Sequence, residues 1–225
     1  MNKLISVLLI IHIIAGATAL LCGLLAILFR KKVLIHKRVG KVYFYSMTVV
    51  FITAISISVM KGNVFLFCVA VFTYYACLTA YRSLRLKKLH LDQNPAWYDW
   101  LIEAVFGTIH LGFVIFALLV INKNPTFGTI SLVFGLIGVR LNISTIFRLK
   151  RKKLVYKNYW LLAHIGGMLG SYIGTITAFV VNNSRLIPLP PIVLWLGPTV
   201  IIVPLIAYEI KQHQKKGGKL VQKPL

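Results

Sequence analysis

Residues 4–32 read LISVLLIIHIIAGATALLCGLLAILFRKK, an uncharged run followed by Arg30, Lys31 and Lys32. A helix needs about 20 largely apolar residues to cross the hydrocarbon of a bilayer. A signal-peptide core stops at about 7–15. Ala15-Gly16-Ala17 looks like a cleavage site, but the apolar run continues past it to Phe29. The segment therefore reads as an uncleaved first span.

Working outward, the same pattern recurs at 42–60, 64–81, 101–121, 126–147, 159–181 and 192–208. The last run is the shortest and contains Pro198 and Pro204, which a membrane helix tolerates. Of the 225 residues, 58% are hydrophobic and only 13% are charged. Soluble domains carry roughly 25% charged residues, so a soluble enzyme, a disordered chain and a disulfide scaffold are all excluded. Lipid cannot satisfy the backbone of an open strand, and barrel strands alternate apolar with polar residues. The expected fold is an all-α polytopic membrane bundle of seven transmembrane helices. It divides into a transmembrane domain, 1–210, and a basic tail, 211–225.

The charges fall between the runs. Lys and Arg number 26 against 4 Asp and Glu, a net charge of +22. Alternate connections are basic: 30–41, 82–88, 148–157 and the tail hold 21 of the basic residues. The other side has only Lys3, Lys61, Lys123 and Arg185, and Arg140 lies within a run. Positive charge stays cytoplasmic, which predicts an external amino terminus and an internal carboxyl tail. The basic residues then face anionic lipid headgroups, and a nucleic-acid face is discarded. Cys22, Cys68 and Cys77 sit within apolar runs without ligand spacing, so they read as small buried hydrophobes and no metal site is expected.

Ionisable groups inside a bilayer are costly and point to function. Five qualify: His12, Glu103, His110, Arg140 and His164. Depth at 1.5 Å per residue places His12 and His110 about 12 and 16 Å from one membrane face, so they are expected to meet near mid-membrane. Glu103 and Arg140 fall in the other half and are expected to pair. Asp99, Glu103 and His110 share one helix face. Gly166, Gly170 and Gly174 form a GxxxGxxxG stripe suited to close helix packing. His36 and Asp92 lie at the basic boundary, where headgroups sit.

His36-Lys37-Arg38-Val39-Gly40-Lys41-Val42-Tyr43 resembles the opening of the second helix in an uncharacterised bacterial membrane family, domain-of-unknown-function family 2306. The tracts 92–100 and 164–172 also resemble later parts of such proteins. The resemblance implies a multi-pass protein of the bacterial plasma (inner) membrane with about seven helices. It brings no reaction, and it marks His36, Gly40, His110 and His164 for testing.

Four classes of function stay open. Membrane histidines are natural axial ligands of b-type haem, from His12 with His110 or from His36 with His164, which would make a haem or quinone redox protein. Glu103, His110 and Arg140 could instead line the path of a small-molecule transporter, acting as a homodimer. A lipid-modifying enzyme could use His36 and Asp92, although no HExxH or GxSxG motif is present. A structural or assembly subunit has no distinguishing mark.

Overall fold

The computed structural model describes residues 3–151 and 156–218. They form α1 (Lys3–Leu28), α2 (Val33–Met60), α3 (Val64–Ser83), α4 (Trp97–Val120), α5 (Pro125–Leu149), α6 (Tyr159–Asn182) and α7 (Pro191–Gly217). All seven are long and apolar enough to cross a membrane. Lys152, Lys153 and residues 219–225, part of the expected basic loop and tail, lie outside the described residues.

Local chemistry sets several helix starts. Asn63 and Asn124 cap α3 and α5, accepting hydrogen bonds from the backbone N–H of Leu66 and Phe127 at 3.0 and 3.2 Å. Pro125 and Pro191 open α5 and α7, where a missing N–H does no harm. Two helices outrun their apolar segments. α2 begins at Val33, so the 36–43 motif forms its first turns rather than a loop. α7 continues to Gly217, so the basic tail starts as helix. Lys and Gln are good helix formers in water, and hydropathy marks only the part of a helix that lies in lipid.

The α1–α2, α3–α4 and α5–α6 connections share one end of the bundle with the close of α7, here termed the basic end. α3 is central: it packs against α2, α4, α5 and α6, with Tyr75 and Cys77 fully buried. α1 lies against α2, α4 against α5, and α7 against α6. In lipid, close packing has to replace the hydrophobic effect between helices. On α5, Gly128, Gly135 and Gly138 meet Ile121, Val114 and the His110 ring, leaving no room for a Cβ. On α6 the close approaches to α3 are at Gly167, where a Cβ would lie 2.6 Å from the Ala80 Cβ and 2.8 Å from the Ala76 carbonyl, and at Gly174, where it would lie 2.6 Å from Thr73 Cγ2. This corrects the expected stripe. Gly166 faces Ile210, Gly174 faces Thr73, and Gly170 has open space, so the three glycines do not form one packing face. Their 400° spacing drifts by 40° per step, and the bundle uses that drift to reach different neighbours.

Candidate functional site

Two polar regions stand apart. The first is built from one face each of α3, α4 and α5. Residues separated by three, four or seven positions share a helix face. Tyr75, Thr79 and Arg82 come from α3, Asp99, Glu103 and His110 from α4, and Asn142, Thr145 and Arg148 from α5. At the basic end, Arg82 grips Asp99 through two hydrogen bonds, Nε to Oδ1 at 2.6 Å and Nη2 to Oδ2 at 2.9 Å. Asp99 Oδ2 also accepts the N–H of Ala96 at 2.8 Å, which fixes the start of α4.

Deeper in, Tyr75 Oη and Asn142 Nδ2 both donate to Glu103 Oε2, at 2.7 and 2.9 Å. Because Asn142 uses its NH₂ on Glu103, its Oδ1 faces Nδ1 of His110 and accepts from it. Nε2 of His110 then lies buried without a partner among the described residues. The chain is sealed: Asp99, Glu103, Asn142 and His110 are 3, 5, 4 and 0% exposed. Beside it lies a cavity of about 10 Å³ lined by Thr79, Arg82, Asp99, Glu103, Thr145 and Arg148.

The expected Glu103–Arg140 pair does not form. Arg140 is exposed on the outer side of α5 and makes no ion pair with Glu103. Arg148 faces the same cavity as Glu103, its Nη2 3.3 Å from Thr145 Oγ1. The expected meeting of His12 and His110 does not occur either. His12 Nδ1 is bonded to Thr53 Oγ1 on α2 at 2.9 Å. Tyr75, Asn142 and Arg148 were not among the five intramembrane candidates of the sequence: α3 held none of the five, and Asn142 stands about 200° from Arg140 on α5.

The second region lies at the basic end between α2 and α6. His36 and His164 have ring centroids 6.3 Å apart and planes inclined at 83°. His36 Nδ1 is 2.9 Å from the Ala26 carbonyl, and His164 Nδ1 is 3.2 Å from the Ala80 carbonyl. Both carbonyls are available because their helices end there. The N–H of Arg30 turns to Ile27, and that of Leu84 turns to Tyr81 and Arg82. A carbonyl can only accept, so each Nδ1 carries the proton in the neutral ring and each Nε2 keeps its lone pair.

Seven residues beyond each histidine, Tyr43 and Ser171 join α2 to α6 through a 2.8 Å hydrogen bond. Between the two levels, about 10 Å apart by helical rise, α2 presents Gly40, with nothing within 4 Å of where a Cβ would stand. Arg30, Lys37, Arg38 and Lys41 are exposed at this end of the bundle, Arg30 paired with Glu209 of α7 at 3.4 Å. Of the remaining boundary residues, Asp92 lies on the α3–α4 connection, 3.5 Å from Arg151. Among the described residues, no group of three or more His, Cys, Asp or Glu could hold a metal ion by side chains alone.

No protein-family model, curated protein or solved structure matches this chain.

Proposed function

We propose that the chain is a redox membrane protein that holds a b-type haem between His36 and His164. The observation carrying this reading is the paired geometry of the two imidazoles. Each comes from a different helix, is anchored at Nδ1 by a backbone carbonyl, and offers a free Nε2. A hydrogen bond from the other ring nitrogen to a carbonyl orients metal-bound histidines in this way. His36 and His164, with ring centroids 6.3 Å apart, are the residues that would hold the haem iron. Gly40 leaves open space beside His36, and the exposed basic residues of this end suit carboxylate side groups on a macrocycle. When bound, haem supplies one-electron chemistry. The protein's own part is to orient the imidazoles, and Tyr43 with Ser171 joins the two helices that carry them.

This reading favours redox over transport. The sealed region offers about 10 Å³, far too little for a solute. The alternating charge supports placing the basic end in the cytosol and the amino terminus outside, in a bacterial plasma membrane with anionic headgroups against the basic residues. The 36–43 motif supports kinship with family 2306.

The test is an absorption spectrum of protein purified from cells supplied with a haem precursor. A Soret band that shifts on dithionite reduction is expected. It should disappear in His36→Ala and in His164→Ala and persist in His12→Ala. A colourless native protein, or a band that survives the double His36→Ala/His164→Ala change, overturns the reading.

A further inference from the structure

The sealed region between α3, α4 and α5 contains a carboxyl group that ordinary structural duty does not exhaust. Tyr75 and Asn142 both reach Oε2 of Glu103, leaving Oε1 as the oxygen toward the cavity that this residue lines. The cavity is also lined by Arg148, whose Nε is buried and unpartnered among the described residues. No ion pair joins the two side chains. A cavity needs about 10–15 Å³ of such volume to hold one water, together with two to four polar partners. This one measures about 10 Å³ and has Glu103, Arg148, Thr79 and Thr145 in its wall.

We propose that the cavity holds a single water between Glu103 and Arg148, and that Glu103 is a loading site for one exchangeable proton reached from the basic end. The step moves no electrons. A proton passes from the cavity water to Glu103 Oε1, forming the O–H bond of a carboxylic acid, and the water regains a proton from the aqueous phase past Arg82 and Asp99. Every charged or titratable neighbour bears on this. From α3, Tyr75 donates to Glu103 and Arg82 stands at the cavity. From α4 itself come Asp99, which is held by Arg82, and His110, which lies beyond Asn142. From α5 comes Arg148. The chain of hydrogen bonds ends at His110, whose Nε2 has no hydrogen-bond partner among the described residues.

The chain suits a direct test, because it has only four acidic side chains: Asp92, Asp99, Glu103 and Glu209. Infrared difference spectra of the full-length protein in liposomes, taken across a pH titration, should contain a protonated-carboxyl C=O band. The band should vanish in Glu103→Gln and remain in Asp92→Asn and Glu209→Gln. Thr145→Leu should fill the cavity and slow hydrogen–deuterium exchange of that band at least tenfold. A band that never changes with pH, one that survives Glu103→Gln, or an exchange rate unchanged by Thr145→Leu overturns the proposal. Should Glu103→Gln fail to fold, the native titration and Thr145→Leu still decide. The haem reading is not involved, since none of these measurements needs a chromophore.

Discussion

The two polar regions differ in what completes them. Around Glu103 the partners are side chains from two neighbouring helices, and the network is buried, with room beside it for about one water. Around His36 and His164 the partners are backbone carbonyls at two helix ends, and each ring keeps one nitrogen free. Removing a group from the first region leaves others buried and unpaired. Removing one from the second leaves carbonyls that a half-open site can solvate. The first region should therefore govern stability, and the second should govern what the protein binds.

The largest effect that would sharpen this contrast is Glu103→Leu. It strands Tyr75, Asn142 and Arg148 in a sealed site. Breaking a buried charged network costs about 3–5 kcal/mol, so we expect a large fall in unfolding free energy in detergent, while His36→Ala should lose less than about 1 kcal/mol. Equal losses would erase the distinction. Gly167→Leu comes next, since it forces a side chain against Ala80 and the Ala76 carbonyl. Overpacking typically costs about 1–3 kcal/mol, readable as a lower Tm. Gly40→Leu should leave Tm nearly unchanged, because nothing lies within 4 Å of its position, yet abolish the chromophore by filling the space beside His36. His12→Ala removes one hydrogen bond to Thr53 and should cost about 0.5–1.5 kcal/mol. The smallest effect on the folded bundle should come from Arg140→Leu. It touches no partner in the sealed region, and an insertion assay should register easier entry of α5, by about 2–3 kcal/mol.

Arg140 and Arg148 show where the sequence could be read and where it could not. Depth arithmetic along α5 favours Arg140, which is nearer mid-membrane, as the partner of an intramembrane acid. Depth is silent on rotation. Gly138 sets that rotation by admitting the His110 ring at its surface. At 100° per residue, Arg140 then lies about 200° away and points outward, while Arg148 comes round to the cavity side. Glu103 and His110 were legible because a bilayer makes such groups conspicuous. Tyr75 and Asn142 were not, because tyrosine and asparagine pass unnoticed in an apolar run until a carboxylate is seen against them. The meeting of His36 and His164 was legible only as one pairing of two, and His12 with His110 was the other.

The sequence alone determined seven membrane-length helices and the clustering of charge at alternate connections, because hydrocarbon thickness and the cost of burying charge act on each segment independently. Tertiary structure decided which side chains meet. That choice depends on the rotation and closeness of neighbouring helices, set by contacts such as Gly138 against His110 and Gly167 against Ala80, and no single segment contains both sides of such a contact.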